Sequence, residues 1–194
     1  MESTLMLLSA YLLGSVPTGY LLGSLSGVDI RQAGSGNIGA TNVVRVVGWK
    51  TGLLTLLADA GKGFIPVLFS VKLGFGLRVS ALTALAVFIG HLYPVFLKFK
   101  GGKGVATALG AFAGLAPLAT AVLILVFACV ATVSRLISLA SLSAATLAPV
   151  VLWLFSYPQA FLWMSLVMGS LIIVRHRENI GRLISGDEER FNIG

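Results

Sequence analysis

The sequence predicts an all-α integral membrane protein of seven transmembrane helices, the fourth of them short, with the N-terminus outside and the C-terminus in the cytoplasm. Three observations carry this prediction. Charged residues make up only 11% of the 194 and apolar residues 57%, against roughly 25% charged in soluble domains, so too little polar surface exists to cover a water-soluble globule. A span needs about 20 apolar residues at 1.5 Å each, and runs of that kind recur at roughly 4–25, 52–73, 78–97, 104–115, 117–134, 138–156 and 158–175. With seven spans, eleven of the fourteen basic residues fall on one side of the membrane, which the positive-inside rule assigns to the cytoplasm.

The first run starts almost at Met1, with no basic region and no small-residue cleavage site, so it reads as a retained span. The second holds Asp59 and Lys62, three apart and able to pair, with Gly61 and Gly63 allowing a neighbouring helix to approach; a structural pair and a functional one both fit. The third closes on GHLYP, where His91, with Pro94 close behind, reads as a structural helix end. Gly114 and Pro117 separate the fourth run from the fifth; merged, they would give about 30 residues, or roughly 45 Å, well beyond the hydrocarbon core. Cys129, alone in the fifth run, can form no internal disulfide and reads as apolar filler. The sixth run opens with Ser138 and Ser141 on one face and Ser143 turned away. No repeat is visible, and 1–194 reads as a single polytopic domain.

Three polar motifs gather on the predicted cytoplasmic face. The first, GSGNIGATNVVR from Gly34 to Arg45, offers glycines whose N–H groups can converge on an anion, with Thr41, Asn42 and Arg45 at helical spacing if a helix begins near Ile38. Its GxGxxG lacks the strand and βαβ unit that dinucleotide binding needs, whereas a plain interhelical turn remains open. The second is KFKGGKGVAT, Lys98 to Thr107. Lys98 and Lys100 read as snorkelling residues, but Lys103, enclosed by Gly101, Gly102 and Gly104, reads as a phosphate ligand at a helix start. The third, RHRENIGRL from Arg175 to Leu183, puts His176 and Asn179 on one helix face and Arg175, Glu178 and Arg182 on another.

So many donors on one face suggest more than one phosphate. Metal chemistry is not indicated, since no pair of Asp or Glu has ligand spacing. A serine elbow is absent too, and so is a His/Asp dyad with Asp five residues on: those places hold Phe96 and Gly181. An anion transporter would build with the same residue types, but it would place them near the midplane and show an inverted repeat.

Taken together, these motifs, with LADAGKG and SLAS between them, closely resemble the bacterial acyl-phosphate:glycerol-3-phosphate acyltransferase family, from about Gly14 to Leu183. The resemblance implies a bacterial inner-membrane enzyme that moves a fatty acyl group from acyl phosphate to the 1-hydroxyl of glycerol 3-phosphate. It implies acyl phosphate, glycerol 3-phosphate and membrane lipid as partners, with no cofactor, metal or nucleic acid, and it leaves oligomeric state and acyl chain length open. Carried over residue by residue, it puts Ser35, Arg45, Lys103 and His176 at the chemistry. Substrate binding falls to Gly36, Asn37, Ile38, Gly39, Ala40, Thr41, Asn42, Ser141, Asn179, Gly102 and Gly104. His176 then stands either as a general base or as an orienter, the proton passing in the second case to the substrate's own phosphate.

Overall fold

Each of the seven apolar runs is helical in the computed structural model, which describes residues 1–191, and no strand occurs among the described residues. In chain order the helices are α1 (Glu2–Gly14), α2 (Thr18–Leu25), α3 (Ala40–Val46), α4 (Trp49–Lys72), α5 (Leu77–Leu92), α6 (Val105–Leu115), α7 (Pro117–Ser134), α8 (Ile137–Leu154), α9 (Gln159–Arg175) and α10 (Arg177–Ser185), with a 3₁₀ turn at Val95–Leu97. Five stretches are long and apolar enough to cross a bilayer, the first of them Glu2–Leu25 taken whole; a sixth is reached if α9 and α10, bent by 60°, count as one. The shortfall from seven lies in the short runs: α6 has 11 residues, about 16 Å at 1.5 Å per residue.

Pro17 divides the first run. It has no N–H to donate and disfavours helical backbone at Val16, so the chain steps out of helix between Gly14 and Thr18. The carbonyl of Val16, left outside the helices, accepts a hydrogen bond from Lys62 Nζ at 2.8 Å. Lys62 also pairs with Asp59 at 2.9 Å, as the i, i+3 spacing predicts, and the Thr18 hydroxyl donates to the same carboxylate. Both charged side chains are almost wholly buried, 5% and 2% exposed, so the pair fastens the break in the first run to the middle of α4.

The residues cluster into two compact units, the first ending at Leu115 and the second beginning at Ala116. In the first, α4 packs against α1, α2, α3, α5 and α6. Glycines set the closest approaches: a Cβ added at Gly63 would lie 2.1 Å from the Thr107 carbonyl oxygen, and one at Gly110 1.8 Å from that of Ala60. Helices in lipid gain nothing from hiding apolar surface, so such close packing is what holds them. Gly61, expected to share this role, faces open space instead.

In the second unit α8 packs against both α7 and α9, and α10 turns off α9 at His176. Cys129 is exposed. Gly186, at φ +81°, ends α10 and reverses the chain. The Asp187 and Glu188 N–H groups then donate to the Arg182 carbonyl, and the Phe191 N–H to that of Arg135 at 2.7 Å.

Candidate active site

The glycine loop of the first motif is built around Asn42. Its Nδ2 donates toward the carbonyls of Ile30, Ala33 and Asn37 at 3.0, 3.1 and 2.9 Å, and its Oδ1 accepts from the Ser35 N–H at 2.9 Å. Two amide hydrogens serving three carbonyls are fully committed to the loop itself. Asn42 is therefore the knot that shapes the loop. The Ile38 side chain is buried with Ile30 and Val43, which leaves its backbone to the motif. The helix begins at Ala40, two residues beyond the expected start, and Gly39 caps it in extended backbone, φ −79°.

Gly36 does need to be glycine for the chain itself. Its φ is +68°, a conformation costly for residues with a Cβ, and an added Cβ would lie 3.1 Å from the Arg31 carbonyl. Around the loop, Asn37 Oδ1 accepts from the Gly39 N–H at 3.2 Å, Ser35 and Arg45 are exposed, and Ala40 and Thr41 are half-buried. Close by in sequence, Arg31 lies over the Tyr20 ring at 4.3 Å and pairs with Asp29 at 2.9 Å. The hydrogen bond from that guanidinium holds the Asp29 carboxyl below the usual carboxylate range.

The second motif is pinned to the end of α5. Gly101 N–H donates to the Leu92 carbonyl at 3.1 Å and Gly102 N–H to that of His91 at 3.2 Å. Gly102 and Gly104 pack closely against α5. A Cβ on the former would lie 2.2 Å from His91 Nε2, and one on the latter 2.3 Å from the Phe88 ring. They hold the turn down, and Lys103, half-buried, stands between them in the chain.

In the second unit, Ser141 and His176 are both buried and oriented by their own helices. The Ser141 hydroxyl donates to the Ile137 carbonyl at 2.8 Å, which leaves its oxygen to accept. His176 Nδ1 lies 2.8 Å from the Ile172 carbonyl. A carbonyl only accepts, so Nδ1 carries the proton and, in the neutral ring, Nε2 presents a lone pair. Asn179, also buried, donates from Nδ2 to Glu188 Oε1 at 2.6 Å, and Arg182 Nε to Glu188 Oε2 at 2.7 Å.

Sequence reasoning missed Glu188. Burial pushes its carboxyl up, but the nearby Ser138 hydroxyl and the hydrogen bonds from Asn179 and Arg182 outweigh burial and hold it below the usual range. The buried Ser138 hydroxyl itself makes no hydrogen bond among the described residues. The signal that would have found this carboxylate is Gly186, a helix-ending glycine that returns the chain toward donors spaced i, i+3 on α10.

The structure thus ties Ser35 and Asn37 around Asn42, carries Arg45 one turn on in α3, sets Lys103 in a separate turn against α5, and places His176 and Asn179 at the bend between α9 and α10. Among the described residues, no group of three His, Cys, Asp or Glu is placed to hold a metal ion.

Buried ion pairing, glycine-set helix contacts and polar motifs at helix ends define an all-helical integral membrane protein. The glycerol-3-phosphate acyltransferase family profile matches residues 4–186. The chain is 50% identical over 182 residues to a glycerol-3-phosphate acyltransferase of Trichlorobacter lovleyi, covering 94% of each chain. To the one from Aquifex aeolicus it is 48% identical over 193 residues, covering 98% of this chain and 100% of that one. Its fold matches a crystal structure of PlsY (YgiH), an integral membrane glycerol 3-phosphate acyltransferase in its glycerol 3-phosphate form, with TM-score 0.96, 47% identity and coverage of 99% and 96%. The lysophosphatidic acid form of the same enzyme matches at 0.93. The chain belongs to the glycerol-3-phosphate acyltransferase family.

Proposed function

We propose that this protein transfers a fatty acyl group from acyl phosphate to the 1-hydroxyl of glycerol 3-phosphate, giving lysophosphatidate and inorganic phosphate, the first acylation of phospholipid synthesis. The observation that carries this reading is the near-complete match to an acyltransferase solved in both its glycerol 3-phosphate and lysophosphatidic acid forms. In the reaction, the 1-hydroxyl oxygen bonds to the acyl carbonyl carbon and the bond from that carbon to the phosphate oxygen breaks. The phosphate departs with the electron pair, and the hydroxyl proton passes to a phosphate oxygen or to His176 Nε2.

The loop from Gly36 to Thr41, with Ser35, Arg45 and Lys103, takes the phosphoryl group of the acyl donor and stabilises it as it leaves. Lys103 acts as a point charge, while the Arg45 guanidinium gives paired donors. Ser141, whose oxygen accepts, and His176 and Asn179 orient glycerol 3-phosphate, where positioning supplies several kcal/mol. A mixed anhydride is already activated, so His176 serves first as an acceptor that aims the hydroxyl. The acyl tail lies among apolar helices and the motifs face the cytoplasm, with seven spans in one polytopic domain of the bacterial inner membrane, N-terminus outside. No cofactor takes part.

Purified protein in detergent, given acyl phosphate and radiolabelled glycerol 3-phosphate, should form labelled lysophosphatidate and release one phosphate per acyl group. Phosphate uptake into proteoliposomes with no acyl transfer would overturn the reading in favour of a transporter. For topology, Lys100→Cys and Ser185→Cys in a background lacking Cys129 should resist an impermeant thiol reagent on intact cells, whereas Gly76→Cys should label. The opposite pattern would invert the orientation.

A further inference from the structure

His91 lies between two features that the proposed reaction does not connect. On one side is the buried Asp59–Lys62 pair: His91 Nδ1 sits 3.6 Å from Asp59 Oδ1, just beyond hydrogen-bond distance, and has no hydrogen-bond partner among the described residues. On the other side is the turn that carries Lys103. A Cβ on Gly102 would meet the His91 ring at Nε2, Cε1 and Cδ2, at 2.2, 3.0 and 3.2 Å, so this glycine rests directly on the Nε2 edge. The backbone closes the same clamp. Gly102 N–H donates to the His91 carbonyl, and a Cβ on Gly101 would lie 2.2 Å from that oxygen. The imidazole, 4% exposed, touches both a fixed negative charge and the residue before Lys103.

Carboxylate and imidazole in that geometry have one favourable arrangement. Asp59 can only accept, so the ring turns Nδ1–H toward it and sets its Nε2 edge against Gly102. Asp59 in turn is fixed by Lys62 at 2.9 Å and by the Thr18 hydroxyl, and Lys62 by the Val16 carbonyl. The ring therefore has a rigid backing on one side and a glycine turn on the other, the support that a ligand-holding side chain needs from its neighbours.

We propose that His91 is a positioning residue for Lys103, transmitting the fixed place of the Asp59–Lys62 pair to the turn and so setting the direction in which the lysine leaves it. This rests on the reading of Lys103 as a phosphate ligand. Phe at position 91 keeps a ring of similar size without either nitrogen, and the misplacement it allows should lower kcat/KM by about tenfold to a hundredfold, mostly through KM for a phosphate-bearing substrate.

The test is a double-mutant cycle of His91→Phe with Lys103→Ala, read as kcat/KM in detergent alongside thermal midpoints. If His91 acts through Lys103, its replacement costs little more once Lys103 is gone, so the two effects do not add. Equal losses in both backgrounds overturn the proposal and leave His91 a packing residue, while the reading of Lys103 stands. Wild-type turnover in Lys103→Ala removes that reading, and His91 then has nothing to position. Should His91→Phe fail to fold, the unaltered protein answers. It has two histidines, so ¹⁵N-imidazole spectra, assigned with His176→Asn, resolve His91. Its Nε2 signal should move on titration with glycerol 3-phosphate or inorganic phosphate, and an unmoved signal overturns the proposal.

Discussion

Two glycines of one loop, three residues apart, should respond to the same methyl group in opposite ways. Gly36 sits at φ +68°, with the Arg31 carbonyl 3.1 Å from where a Cβ would stand. Left-handed backbone costs an L-residue roughly 1–2 kcal/mol, so Gly36→Ala should lower the thermal midpoint by several degrees at about 2–4 °C per kcal/mol for a chain of this size. Gly39 has φ −79° and ψ 161°, and its added Cβ would meet nothing nearer than Asn37 Oδ1 at 3.7 Å. Replacing a glycine cap by alanine costs helix stability, but it also removes unfolded-state freedom worth about 0.4–1 kcal/mol. The two nearly cancel, and Gly39→Ala should melt within about 2 °C of wild type. If the loop grips a phosphate through its backbone, the methyl at 39 intrudes on the ligand alone, and activity should fall by at least about tenfold with folding intact. Differential scanning fluorimetry and the lysophosphatidate assay, on both variants in one detergent, give the comparison. Full activity in Gly39→Ala would show that nothing binds closely there, and an unchanged midpoint in Gly36→Ala would refute the conformational argument.

Arg45→Ala and Lys103→Ala should each lose roughly 2 to 4 kcal/mol of transition-state binding, about thirtyfold to nearly a thousandfold in kcat/KM, and Arg45→Lys should recover only part of it. With Nδ1 committed to Ile172, His176→Gln should retain measurable turnover and the acidic limb of the pH profile between about pH 5.5 and 8.5; loss beyond about ten-thousandfold in both His176→Gln and His176→Asn, with that limb gone, would make His176 the base. Because the folded Glu188 carboxyl titrates below its ordinary value, its contribution is full above about pH 4.3 and is lost as pH falls through the folded value. Wild type should therefore lose thermal stability on acidification more steeply than Glu188→Gln, and parallel slopes would mean the contacts to Asn179 and Arg182 contribute nothing.

The helices were legible because lipid imposes a length: each run above about 18 apolar residues had to be a span or a buried helix. Asp59 and Lys62 were legible as a pair because three residues on a helix bring two side chains together. Asn42 shows the limit of that logic. Spacing placed it on a helix face with Thr41 and Arg45, yet only the fold decides that its amide turns inward onto three carbonyls. Gly102 and Gly104 likewise look the same in sequence whether they approach a phosphate or the Phe88 and His91 rings. Glu188 was hidden for a further reason: its partners lie across a chain reversal, which periodicity does not register.

The break at Pro17 also bears on how the protein is made. Glu2–Leu25 precedes Lys62 in the chain, so until Trp49–Lys72 is in place beside it the Val16 carbonyl lacks the donor it has in the finished fold. An unsatisfied backbone group in hydrocarbon costs several kcal/mol, which makes the first segment a poor resident of the bilayer by itself. Insertion of Trp49–Lys72 supplies both the ammonium for that carbonyl and the carboxylate for Thr18. The two segments are thus best lodged as a pair, and the order of biogenesis is written into a proline and a lysine 45 positions apart.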